Sequence, residues 1–97
     1  MFENLDDFIE NPDLLENMSP EELYNYLKEN GYDPQPLGQG ATAGVPFEEG
    51  GGFKVTWGGD RLLQYHPGGG IHGASYWKIS SGITGIIKFI IDGEYIP

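Results

Sequence analysis

The feature that most constrains the fold is a series of strand-length segments separated by glycines in the second half of the chain. Residues 53–57 (FKVTW) alternate with a period of two, which is the pattern of a half-buried strand. Gly58-Gly59-Asp60 then leads into residues 61–65, so the two segments predict a β-hairpin. Short alternating segments separated by glycine turns predict a small antiparallel sheet.

Two further strands are predicted after the hairpin, at residues 75–80 and 86–91. In the first of these, alternation places Tyr76, Lys78 and Ser80 on one face and Trp77 and Ile79 on the other. Asp92-Gly93 is a tight-turn signal, and it predicts a short terminal strand at 94–96.

Helix signals precede the strands. Ser19-Pro20-Glu21-Glu22 has the pattern of a capping box with proline at the first helical position, and Asn30-Gly31 is a stop signal, so a helix is predicted over 19–30. Residues 3–17 predict a weaker acidic helix that is interrupted at Asn11-Pro12. We therefore expect an α+β fold, with N-terminal helices packed on a four-stranded antiparallel sheet plus the short terminal strand. The expected organisation is an acidic helical lead-in at 1–18 and one domain at 19–97.

Length and composition limit what can stabilise this fold. At 97 residues the chain predicts one domain with a modest core, and the absence of cysteine excludes disulfides and thiolate metal sites. No segment is long and apolar enough for a membrane span, and the N-terminus is acidic where a signal peptide is basic. We expect a monomer with no membrane partner and no cofactor.

The charge is divided unevenly between the two halves. The formal net charge is −10, yet residues 1–50 hold twelve acids against Lys28 alone, a net of −11, whereas residues 51–97 have a net of +1. Nucleic-acid-binding proteins are usually basic, so the total charge counts against that function. The near-neutral second half leaves it open.

The second half also holds the residues with candidate chemistry. Metal-independent RNA cleavage uses a histidine of near-neutral pKa to take the proton from the 2′-hydroxyl or to protonate the leaving oxygen. A lysine stabilises the charge of the phosphorane, hydroxyls orient the phosphate, and an aromatic ring stacks on a base. The candidate catalytic residues are His72, Lys78, Ser80, Ser81 and His66, with Tyr76 and Arg61 as candidates for substrate binding.

Each of these residues also has an ordinary structural interpretation. An isolated histidine or lysine is commonly a surface residue, and Ser80-Ser81-Gly82 is compatible with a plain turn. No histidine pair has helical metal-ligand spacing, so no metal site is predicted. The glycines of 38–44 lack the strand, the Gly-Lys-Ser/Thr ending and the helix of a phosphate-binding loop.

The order of motifs from the helix end onward is specific. Asn-Gly-Tyr-Asp-Pro (30–34) is followed by Gly-Gly-Gly-Phe-Lys-Val (50–55), Leu-Gln-Tyr-His-Pro (63–67), His-Gly (72–73) and Tyr-Trp-Lys-Ile-Ser-Ser-Gly (76–82). Over roughly residues 19–90 the chain resembles the C-terminal toxin domain of bacterial polymorphic and contact-dependent toxins. Related domains often carry a doubled histidine where this chain has Ile71-His72, and they tend to be more basic.

The resemblance implies a secreted ribonuclease of the group that unites the barnase, EndoU, colicin and RelE folds. Carried over by position, its site comprises His72, Lys78, Ser80 and Ser81, with Thr84 and Lys88 as secondary members. It further implies an RNA substrate such as tRNA, a 2′,3′-cyclic phosphate product and a cognate immunity protein. A larger bacterial toxin would deliver the domain to the cytoplasm of the target cell.

A second hypothesis from a different functional class rests on the charge alone. The twelve acids before residue 51 are compatible with a small inhibitor that imitates nucleic acid and blocks a basic partner. The ordered histidine, lysine and serine motifs favour the enzyme over this inhibitor.

Overall fold

A computed structural model describes residues 4–40, 42–68 and 75–90. In this part of the chain, helical segments come first and a four-stranded sheet follows, which confirms the α+β prediction. The helical elements are α1 (Asp7–Glu10), a 3₁₀ helix (Pro12–Asn17), α2 (Pro20–Glu29) and a second 3₁₀ helix (Phe47–Glu49). The strands are β1 (Phe53–Trp57), β2 (Arg61–His66), β3 (Tyr76–Ser81) and β4 (Gly85–Ile90).

The first helical segment is divided where proline predicts a break. Pro12 lacks an N–H and disfavours the helical conformation at the preceding residue, so α1 ends at Glu10, and its C-cap Asn11 has φ and ψ of −137° and 73°. The chain resumes as the 3₁₀ helix. Leu15 of this 3₁₀ helix is buried in the same core as residues of the sheet, together with Phe8 and Ile9 of α1.

Both predicted ends of α2 are present. The Ser19 hydroxyl accepts a hydrogen bond from the Glu22 backbone N–H at 3.5 Å, as an N-cap does. At the other end Gly31 has φ +83°, and the Tyr32 N–H donates to the Leu27 carbonyl at 2.9 Å. This is the geometry of a Schellman motif, which needs a left-handed residue after the cap.

The described strands form an antiparallel meander in the order β1-β2-β3-β4. One sheet face is covered by the helical elements. The core there consists of Leu5, Phe8, Ile9, Leu15, Leu23, Leu27, Phe53, Val55, Leu63, Trp77 and Ile79. The predicted terminal strand at 94–96 lies outside the described residues.

The connector between α2 and β1 is joined to the sheet edge. Gln35 and Lys54 of β1 exchange two backbone hydrogen bonds of 2.9 and 2.8 Å, which form an isolated antiparallel bridge on the outer edge of that strand. Leu37, two residues later, is buried. This bridge brings the segment 37–39 to the sheet face that the helices leave open.

Candidate functional site

The open face of the sheet carries the three lysines of the second half. Because alternate residues of a strand point to opposite faces, the register places Lys54, Gln64, Lys78 and Lys88 side by side on four neighbouring strands. We call these four residues the lysine row. In the described part of the chain, none of the three lysines forms an ion pair with a carboxylate.

Two more rows flank the lysine row on the same face. On one side His66 is paired with Tyr76 across β2 and β3. On the other side the register aligns Thr56, Leu62, Ser80 and Ile86. We call Leu62, Ser80 and Ile86 the apolar row, although its central member is a hydroxyl. The face is therefore divided into an aromatic band, a cationic band and a band in which Leu62 and Ile86 alternate with the hydroxyls of Thr56 and Ser80.

His66 is held by a ring on the neighbouring strand. Its imidazole lies parallel to the Tyr76 ring, with 4.6 Å between centroids and 4° between planes. The Nζ of Lys88 lies 5.5 Å from the centroid of the same Tyr76 ring. Because His66 belongs to β2 and Lys88 to β4, Tyr76 on β3 has a neighbour on each side.

Gln64 determines which nitrogen of His66 is available. The Nε2 atom of His66 lies 2.8 Å from Oε1 of Gln64. An amide oxygen can only accept a hydrogen bond, so Nε2 carries the proton in the neutral ring and Nδ1 is the unprotonated nitrogen. A histidine in this tautomer can accept a proton at Nδ1.

The surroundings of His66 favour its neutral form. Partial burial lowers the pKa of His66 below its usual value, and the positive charges of Lys78 and Lys88 lower it further. A neutral imidazole at pH 7 is the form that serves as a general base.

A cavity lies between the lysine row and the connector. It has a volume of about 340 Å³ and is lined by Leu37, Gly38, Gln39, Lys54, Gln64, His66 and Lys78. Two lysines, a neutral histidine and two amide side chains therefore face one space. Such a set of donors suits an oxyanion with an adjacent proton-transfer step.

The structure brings together only some of the residues singled out from the sequence. His66, Tyr76, Lys78, Ser80 and Lys88 share the open face. His72 lies outside the described residues, so its assignment stays a prediction.

Ser81 and Thr84 belong to the turn between β3 and β4. The Ser81 hydroxyl accepts hydrogen bonds from the backbone N–H groups of Ile83 and Thr84 at 3.1 and 2.9 Å, and it lies 3.0 Å from the Thr84 hydroxyl. The Thr84 hydroxyl donates to the Gly85 carbonyl at 2.8 Å. These bonds are typical of a turn in which a serine side chain replaces a backbone acceptor.

Arg61 lies on the covered face, away from the lysine row. Its Nε atom is 3.5 Å from the Asp6 carboxylate of the N-terminal segment. The register pairs it with Trp57, whose indole N–H donates to the same carboxylate oxygen at 2.9 Å. Arg61 therefore joins the sheet to the helical layer.

Lys54 and Gln64 were not proposed from the sequence. The predicted hairpin nevertheless implies their pairing, because a hairpin that pairs Trp57 with Arg61 also pairs Lys54 with Gln64. The contribution of Leu37, Gly38 and Gln39 to the cavity depends on the Gln35–Lys54 bridge, for which no local pattern exists.

Within residues 4–40, 42–68 and 75–90, no group of three histidine, cysteine or acidic side chains is arranged to hold a metal ion. Among the helices of the same residues, none has the length and apolar character needed to cross a membrane. Comparisons with protein-family models, with curated proteins and with solved structures gave no match.

Proposed function

We propose that this chain is a metal-independent endoribonuclease. The observation that carries the proposal is a histidine of lowered pKa, His66, on an open sheet face with three lysines that pair with no carboxylate among the described residues. Its proton-accepting nitrogen is defined by Gln64, and Lys78 lines the same cavity. This combination supplies the base and the positive charge that transfer of a phosphodiester to a neighbouring hydroxyl needs.

In the proposed reaction the 2′-oxygen of a ribose attacks the adjacent phosphorus while Nδ1 of His66 takes the hydroxyl proton. Lys78 stabilises the negative charge that develops on the phosphorane oxygens. The bond to the 5′-oxygen of the next nucleotide breaks, and that oxygen must receive a proton. The products are a 2′,3′-cyclic phosphate and a 5′-hydroxyl. We assign the second proton transfer to His72, a candidate from the sequence for either proton-transfer role.

The biological setting of the proposal comes from the resemblance to bacterial toxin domains. We propose that a larger secreted toxin carries this domain into the cytoplasm of a target cell, where it cuts RNA such as tRNA. A cognate immunity protein would silence it in the producing cell. An immunity protein that inserts acidic side chains among the three lysines would be complementary in charge to the open face.

The test is incubation of the purified chain with tRNA, total RNA and single-stranded DNA, with and without EDTA. We expect cleavage of RNA alone, with cyclic phosphate ends identified by mass spectrometry. His66→Ala, Lys78→Gln and His72→Ala should each lower the cleavage rate by about 100-fold or more. Lys28→Gln is the matched control, because Lys28 pairs with Glu48 rather than facing the lysine row.

The outcomes separate the parts of the proposal. Full activity in His66→Ala and Lys78→Gln, with unchanged unfolding midpoints, would refute the site. Loss of cleavage on addition of EDTA would refute the metal-independent mechanism. Intact RNA after incubation with the wild-type chain would refute the enzyme.

The inhibitor hypothesis keeps one observation in its favour. Glu21, Glu22 and Glu29 are all exposed on α2, on the side of the molecule away from the open face. If the wild-type chain cuts no RNA but blocks a basic nuclease added to the same assay, the acidic helix becomes the functional surface. Replacing all three glutamates by lysine should then abolish inhibition, whereas His66→Ala should leave it unchanged.

A further inference from the structure

The three bands of the open face differ in what they can bind. The lysine row offers positive charge without carboxylate partners in the described part of the chain. The apolar row offers Leu62, which is half-buried, and Ile86, which is 69% exposed. Leu62 and Ile86 thus offer apolar contact beside a line of positive charge.

We propose that a single-stranded nucleic acid crosses this sheet perpendicular to the strands, with its phosphates over the lysine row and its bases over the apolar row. This inference rests on the proposed function for the identity of the polymer as RNA. It adds the direction of the strand, the division of contacts and the residues that bind the bases.

The direction follows from the register. Lys54, Gln64, Lys78 and Lys88 lie on consecutive strands, and neighbouring strands are about 4.8 Å apart, so the row extends over roughly 14 Å. Positive charge along such a line matches successive phosphates of one strand. A backbone running parallel to the strands would pass only one of these four side chains.

The bases are placed over the apolar row because the ring on the other side of the lysine row, Tyr76, already has neighbours on both flanking strands. Tyr76 was predicted to stack on a base, but His66 lies against it at 4.6 Å and Lys88 approaches its ring at 5.5 Å from the other flanking strand. A base could stack there only by displacing one of them. Leu62 and Ile86 on the opposite side of the lysine row present uncovered apolar surface.

An exposed apolar row also favours a single strand over a duplex. The bases of a duplex are stacked inside the helix, so their faces cannot contact Leu62 or Ile86. In a single strand the bases can turn toward a protein surface while the backbone follows a basic groove.

The total charge of −10 is unevenly placed, and one exposed acid, Asp33, lines a pocket with Lys54 and Leu62. The molecule measures 33 × 26 × 23 Å, and the exposed glutamates of α2 lie on the helical side. At physiological salt the Debye length is about 8 Å, so charges across the molecule are largely screened from the open face.

The test uses a fluorescent single-stranded DNA oligonucleotide, which keeps the phosphates and bases but lacks the 2′-hydroxyl needed for cleavage. Its dissociation constant is measured at several salt concentrations. Three lysine–phosphate contacts predict a slope of log affinity against log salt of about −2 for the wild-type chain. Lys54→Gln, Lys78→Gln and Lys88→Gln should each make the slope shallower by about 0.7.

The apolar row predicts a different signature. Ile86→Ser should weaken binding by roughly fivefold through lost apolar contact and leave the slope unchanged. Ile86→Leu keeps the apolar surface and should bind like the wild-type chain. Lys28→Gln, on the helical side, should change neither quantity.

Three results would overturn the proposal: a wild-type slope near zero, slopes that the lysine substitutions leave unchanged, or equal affinity for a duplex of the same sequence. If binding follows these predictions but RNA stays intact in the cleavage assay, the surface stands and the ribonuclease proposal fails.

Discussion

The carboxylate of Asp6 accepts a hydrogen bond from the indole N–H of Trp57 at 2.9 Å. The same oxygen lies 3.5 Å from Nε of Arg61, a buried atom with no hydrogen-bond partner in the described part of the chain. One acid of the N-terminal segment therefore contacts both ends of the turn between β1 and β2. This contact connects the helical layer to the sheet across 51 residues.

Asp6→Ala should lower the free energy of unfolding by about 1 to 2 kcal/mol, because it removes one hydrogen bond and the acceptor nearest a buried guanidinium nitrogen. Asp6→Asn keeps an oxygen acceptor for Trp57 and should lose less. Urea unfolding of the three proteins measures both effects. Equal losses in Ala and Asn would show that charge, and not the hydrogen bond, is what Asp6 contributes.

Leu15→Ala should destabilise the whole domain by about 3 kcal/mol, since Leu15 is fully buried against residues of the sheet. Its neighbour Glu16 is exposed, so Glu16→Ala is a matched control with little effect. The measurement is the urea midpoint followed by tryptophan fluorescence. If residues 1–18 were a separable lead-in, Leu15→Ala would leave that midpoint unchanged.

Gly52→Ala should destabilise the fold by about 2 kcal/mol or more, because overpacking forces backbone shifts. A Cβ at Gly52 would lie 2.2 Å from the Tyr65 carbonyl oxygen and 2.7 Å from a methyl of Leu37. Gly38→Ala is the control, since its Cβ would meet only the Lys54 Nζ at an ordinary 3.5 Å. Thermal unfolding compares them; similar midpoints would contradict the close approach at Gly52.

Stability should fall as the pH drops below about 6.5, in part because of His66. The pKa of His66 is lowered in the folded chain by burial and by Lys78 and Lys88. At a pH between the pKa of His66 in the folded chain and its pKa in the unfolded chain, the unfolded chain binds more protons, so acid favours unfolding. The neutral His66 costs the folded chain no stability above the unfolded pKa, and the loss grows as the pH falls through the folded pKa. The wild-type chain should therefore lose more stability than His66→Gln between pH 7.5 and 5.5. Parallel losses in the two proteins would contradict the lowered pKa.

Gln64→Glu should raise the pKa of His66, because a carboxylate in place of the amide at 2.8 Å favours the imidazolium. An NMR titration of the His66 ring resonances measures the shift directly. Gln64→Met removes the hydrogen bond without adding charge and separates the two effects. An unchanged titration in Gln64→Glu would mean that the Gln64 side chain does not contact the ring in solution.

Local pattern predicted α2 and the four strands of this fold, and long-range pairing determined the site. Alternation in β3 correctly divided Tyr76, Lys78 and Ser80 from Trp77 and Ile79, because the period of a strand is set by its backbone. The α2 caps were predictable for the same reason, since Ser19 and Gly31 act within one helical turn.

The lysine row was not predictable in the same way. Lys54 and Lys88 are 34 positions apart in the sequence, and they share a row only because three hairpins have the register they do. Arg61 illustrates the same limit in another way. The sequence suggested it for substrate binding, but its side chain contacts Asp6, which is distant in the sequence. Register depends on turn geometry and on packing of the whole sheet.

The Gln35–Lys54 bridge has a consequence for solubility. A strand at the edge of a sheet exposes backbone donors and acceptors to which another chain can add, and β1 is such a strand. Gln35 takes up the outward N–H and carbonyl of Lys54 near the start of that edge. Pro34 and Pro36 flank Gln35 and have no N–H to donate, so the added pairing cannot extend outward into a further strand. The connector thereby protects this edge from the strand addition that begins β-aggregation.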